Sequence, residues 1–84
     1  MIKVSMYGRR PSIAENFDVL IGDLQLRHPW CEEVDNDFYM KDVRESVCNL
    51  HDLPEEEIDI SSCEAFVRSL ERIGEANIIS TNFL

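Results

Sequence analysis

The chain has 84 residues and a formal net charge of −9, seventeen carboxylates against eight bases, with 44% apolar residues. That length allows one domain, spanning 1–84. A domain this small buries only about 60% of the surface its unfolded chain exposes, which leaves little core to wall a large catalytic cleft. The apolar fraction is too high for a disordered chain, and the charge disfavours nucleic acid or an anionic membrane as a direct ligand.

In chain order, Ile2 to Tyr7 alternates apolar and polar residues and reads as a half-buried strand. Gly8 to Pro11 is a loop. Ser12 followed by Glu15 has the spacing of a capping box, and Ile13, Phe17, Leu20, Ile21 and Leu24 then form one helical stripe that Pro29 ends. The same stretch also alternates at Phe17, Val19 and Ile21, with Gly22–Asp23 suited to a hairpin turn, so helix and hairpin compete over 17–27. The cap favours the helix.

A second helix is expected to start from Asn36 or Asp37 as N-cap and to present Met40, Val43, Val47 and Leu50 as a narrow apolar seam before Pro54. Ile58 to Ile60 reads as a short strand or extended link. Ser61 and Glu64 make a second capping box, and Cys63, Phe66, Val67, Leu70 and Ile73 share one face up to a Gly74 stop. Ile78 to Phe83 is β-prone. The expected fold is α+β, a two- or three-stranded sheet packed against about three helices in the order β-α-α-(β)-α-β.

The charge is not spread evenly. Between Glu32 and Asp59 lie eleven carboxylates against Lys41 and Arg44, so that third of the chain carries −9 and the remainder is neutral. The first eleven residues hold Lys3, Arg9 and Arg10 and no acid. With Tyr7, these three are the one basic-aromatic group, a weak footprint for nucleic acid. An acidic stretch of this kind either keeps a small protein soluble or steers it onto a cationic partner. The residues expected to meet such a partner are Glu32, Glu33, Asp35, Asp37, Glu55, Glu56, Glu57 and Asp59, with Trp30 and Tyr39 as exposed anchors.

Other chemistry is sparse. His28, Cys31, Cys48 and His51 form two pairs in mirror order with the ligand types of a zinc site, though neither pair is the usual Cys-x-x-Cys knuckle. A calcium loop begun at Asp35 puts Met40 where glycine is required and Ser46 where a bidentate Glu is required, so that pattern fails. No nucleophile elbow or phosphate-binding glycine loop is present, and no enzymatic activity is expected. Three cysteines fit a disulfide framework poorly, and no window is apolar enough for a signal or a membrane span, which points to the cytoplasm, a host's if the chain is phage-encoded.

In size and charge alone, the chain resembles the small acidic inhibitors that phages and mobile elements direct at host nucleic-acid machinery, some anti-CRISPR proteins among them. The resemblance transfers no residue. It implies a non-enzymatic module that occupies a basic surface of a nucleic-acid-binding protein. The alternatives are a small zinc-stabilised domain built on His28, Cys31, Cys48 and His51, or an antitoxin or immunity-type partner of one cognate protein.

Overall fold

The computed structural model describes residues 1–26 and 35–81. The chain runs β1 (Ile2–Met6), β2 (Ser12–Ala14), α1 (Phe17–Leu26), α2 (Asn36–His51), a 3₁₀ turn (Glu55–Glu57), α3 (Cys63–Arg72) and β3 (Ala76–Ser80). The fold is α+β, with a three-stranded antiparallel sheet in the order β2-β1-β3. Among the described residues the order is β-β-α-α-α-β, which adds an early strand to the expected β-α-α-(β)-α-β, and the bracketed strand does not form.

The early correction concerns Ser12. It does not cap a helix but pairs with Val4, as Ile13 does with Lys3 and Ala14 with Ile2. A central strand has backbone donors and acceptors on both edges, and β3 satisfies one edge alone, so 12–14 fill the other. The helix then begins at Phe17, where Asn16 takes over the capping: its Oδ1 accepts from the Val19 N–H at 2.9 Å. Residues 17–26 are helical, so the hairpin alternative is excluded for them. Phe17, Leu20 and Ile21 are buried, as the stripe required.

The cap of α3 is displaced as well, by one residue rather than four. Ser62, not Ser61, is the N-cap, its Oγ accepting from the Ala65 N–H at 3.0 Å, while the Ser61 N–H donates to Asp59 Oδ1. At the other end Gly74 adopts φ +84, the Gly74 N–H reaches the Glu71 carbonyl and the Glu75 N–H the Leu70 carbonyl, a Schellman closure. These assignments have an energetic consequence. Asn16→Ala and Ser62→Ala should each cost about 1 kcal/mol in chemical denaturation, and Ser61→Ala only a few tenths. Equal losses at Ser61 and Ser62 would contradict the cap assignment.

Of the two readings of Ile58 to Ile60, strand or extended link, the second holds at Ile58: it joins no strand, its backbone is extended, and its side chain, 2% exposed, plugs the core from the connecting segment. The core is centred on Phe66, Leu20, Ile21, Met40, Ile58, Leu70, Val4 and Val67. α1 and α3 lie on the sheet face that carries Ile2, Val4 and Met6, and α2 packs mainly on α1 and α3. No helix among the described residues is long and apolar enough to cross a membrane.

Candidate functional site

The acidic segment is carried by α2 and the 3₁₀ turn, so its usefulness as a surface depends on how firmly those elements are held. Asp35 caps α2, its Oδ1 accepting from the Phe38 N–H at 2.7 Å. Asn36 is a junction of three helices: its Oδ1 accepts from the buried Gln25 of α1 at 2.5 Å, and its Nδ2 faces the Asp18 carbonyl and the Cys63 thiol of α3. Two polar contacts tie α2 to the end of the sheet. The Tyr7 and Tyr39 hydroxyls meet at 3.3 Å, and His51 Nε2 lies 2.8 Å from Glu75 Oε1.

Tyr7 holds its place at a conformational cost. Its φ of +55 is unusual for a bulky side chain, and with Gly8 at φ +70 it forms a tight turn closed by the Arg9 N–H on the Met6 carbonyl. The Tyr7 N–H donates to the Glu75 carbonyl at 2.6 Å, and burial beside Tyr39 raises the phenol's pKa well above its ordinary range. Glu75 therefore anchors both the turn, by its carbonyl, and α2, by its carboxylate.

The 3₁₀ turn is pinned at both ends. Pro54 fixes its entry, and buried Ile58 its exit. Arg72 Nη2 donates to the Glu57 carbonyl at 3.0 Å, and the Asp59 N–H donates to Ser69 Oγ at 3.0 Å. Asp59 itself is held below the usual carboxylate range by the Ser61 backbone N–H and hydroxyl.

On this frame, Asp35, Asp37, Asp42, Glu45, Asp52, Glu55, Glu56, Glu57 and Asp59 are all exposed. With Lys41 and Arg44 between them, residues 35–59 carry a net −7 (two bases, nine acids). Arg44 Nη2 approaches Glu55 Oε2 at 3.6 Å, the arginine half-buried and the carboxylate exposed, and this one pair neutralises little of the surface. Of the residues expected to meet a partner, Asp35, Asp37, Glu55, Glu56, Glu57 and Asp59 share this layer, whereas Trp30, Glu32 and Glu33 lie outside the described residues.

Two expectations about α2 are corrected. Tyr39 is not an exposed anchor; it is half-buried against the core with its hydroxyl turned to Tyr7. Leu50 is not part of the buried seam but 77% exposed, because the buried arc runs through Met40, Val47 and Cys48 and Leu50 lies about 160° round the helix from Cys48. The apolar groups that α2 does offer to solvent are Phe38, 60% exposed, and Leu50. Phe38 was legible as the large residue off the seam, one position before Tyr39.

Of the four residues of the zinc expectation, Cys48 and His51 are described and neither is arranged as a ligand. His28 and Cys31 lie outside the described residues. Cys48 is buried with Sγ donating to the Pro54 carbonyl, and burial together with Glu55 raises its thiol pKa, which disfavours the thiolate a metal requires. His51 is turned to Glu75. Among the described residues no three His, Cys, Asp or Glu side chains are grouped to hold an ion. Cys63, buried and near Asp18, has its pKa pushed up to about 12.

A shallow cleft of about 650 Å³ separates the starts of α1 and α3, between Asn16, Asp18, Ser62 and Arg68. Arg68 is spent on Glu64 at 3.0 Å, and Asp18 opposes any anion there. Comparison of the chain with protein-family models, with curated proteins and with solved structures finds no match.

Proposed function

We propose that the protein is a non-enzymatic binding module whose acidic layer, α2 with the 3₁₀ turn, occupies a basic surface on a nucleic-acid-binding protein. The observation that carries this reading is the arrangement of nine exposed carboxylates on backbone held at Asn36, Tyr39, His51 and Ile58. Ordered carboxylates on a helix and a tight turn can meet several cations at once without first losing the conformational entropy of a flexible tail. The same charges accelerate encounter with a cationic face and repel the nucleic acid that face would otherwise hold.

In this role the protein acts as an inhibitor of the kind phages and mobile elements direct at host machinery, within a bacterial cytoplasm. Phe38 replaces Tyr39 as the apolar anchor, since it stands exposed among Asp42, Glu45 and Asp37 on the outer side of α2. The test is affinity capture from nuclease-treated extract with wild type and with a Phe38→Ala, Glu45→Lys variant side by side. The reading requires a nucleic-acid-binding protein retained by the first and lost by the second. Equal retention by both would remove the acidic layer from the interaction.

A further inference from the structure

Among the described residues, the sheet is covered on one face alone. Ile2, Val4, Met6, Ala14 and Ala76 are buried under α1 and α3, while their alternate neighbours Lys3, Ser5, Ile13, Asn77 and Ile79 point the other way. Two of these are large and apolar, Ile13 at 48% and Ile79 at 47% exposed. Ile13 stands directly opposite Lys3, and Ile79 is the extra residue of a bulge, since Val4 pairs with Ile78 and Lys3 with Ser80.

The charge of this face is opposite to that of the rest of the molecule. Residues 1–14 and 76–81, the sheet with its turn, hold Lys3, Arg9 and Arg10 and none of the seventeen carboxylates. Residues 15–75 hold all seventeen acids and five bases, a net of −12. Arg9 and Arg10 are exposed on the turn beside the bare face. Among the described residues the sheet face is thus basic with isoleucines, while α2, which packs mainly on α1 and α3, is acidic with Phe38 exposed.

We propose that the bare sheet face docks the outer side of α2 of a second copy, giving a head-to-tail, heterologous association. Two sheet faces brought together would oppose three cations with three cations, which disfavours a symmetric dimer through the sheet. The acidic helix has the complementary character in each respect. Its outward stripe Phe38, Asp42, Glu45 sets one apolar group beside two carboxylates. Exposed Asn49, four residues after Glu45, continues the stripe, which from Phe38 to Asn49 rises about 16 Å, the length of a five-residue strand. The sheet face is separate from the surface of the proposed partner reading, whereas the helix face is the same one, so a second copy and the partner would compete for Phe38, Asp42 and Glu45.

The experiment is sedimentation velocity over a range of protein concentrations, at about 20 mM and about 300 mM salt. Wild type should form species that grow with concentration at low salt and dissociate at high salt. An Arg10→Glu, Ile13→Glu variant disables the sheet face, and Asp42→Lys, Glu45→Lys the helix face. Each alone should weaken association about tenfold or more. Mixed in equal amounts they should form a complex that stops at two chains, because each retains one working face.

Should the first variant not fold, Arg9→Ala, Arg10→Ala replaces it and alters exposed turn side chains only. A wild type that stays monomeric at low salt overturns the inference. So does a dimer unaffected by the helix substitutions, which would be a symmetric sheet dimer. A wild type that self-associates in this way yet captures no nucleic-acid-binding protein sinks the partner reading alone.

Discussion

A Phe66→Ala variant is expected to lose about 3–5 kcal/mol of folding stability in urea denaturation. Phe66 is fully buried in α3, the helix that packs against both α1 and β3, so its ring fills the junction of the two layers. A folded chain of this length has a total stability of about 4–13 kcal/mol, so the loss removes a large share of what holds it together. The matched control is Phe38→Ala, which removes the same ring from an exposed position and should stay within about 0.5 kcal/mol of wild type. If the two substitutions cost the same, Phe38 is not the solvent-facing group described above.

Reversing Glu55, Glu56 and Glu57 to lysine should slow association with the captured partner about 10- to 100-fold at low ionic strength. Each reversal adds two charges, so the net charge moves from −9 to −3, and the loss falls on the most concentrated part of the acidic layer. The fold should tolerate the change. All three side chains are exposed, and what the turn contributes to the core is Ile58 and the Glu57 carbonyl that Arg72 grips, neither of which is altered. The dissociation rate should change much less, because exposed charges act mainly on encounter. Near-normal association at low salt, or a loss carried entirely by faster release, would contradict steering by this turn.

Much of this architecture is legible in the residues. The alternation of Ile2 to Met6, the stripe of α3 and the Gly74 stop each report a local rule that tertiary packing left in force. Ser12 and Ser61 misled for a common reason. Both stand three residues before a glutamate, yet a capping pattern describes a preference, while the pairing needs of the second edge of β1 and the Asp59 turn decided where each helix began. Leu50 misled because the spacing of three and four residues does not say where the buried arc is centred; packing against α1 and α3 placed that centre nearer Cys48.

The candidate site was legible in composition and hidden in assembly. The confinement of charge between Glu32 and Asp59 is visible in a count of residues. That the carboxylates of 35–59 all face solvent follows from the junction at Asn36 and the contacts of Tyr7 with Tyr39 and His51 with Glu75, pairings between residues far apart in the chain. The basic sheet face was half visible, in Lys3, Arg9 and Arg10. Its isoleucines were not, since Ile13 was assigned to a helical stripe.

The most direct measurement of the central claim is competition. The captured nucleic-acid-binding protein is loaded with a labelled oligonucleotide it binds, and this protein is titrated in while anisotropy is followed. Occupation of the basic surface by the acidic layer predicts complete displacement by wild type. It also predicts little displacement by the Glu55, Glu56, Glu57 reversal at the same concentration, and a midpoint that rises steeply with salt. A ternary complex in which oligonucleotide stays bound, or displacement that the reversed chain performs equally well, would contradict it.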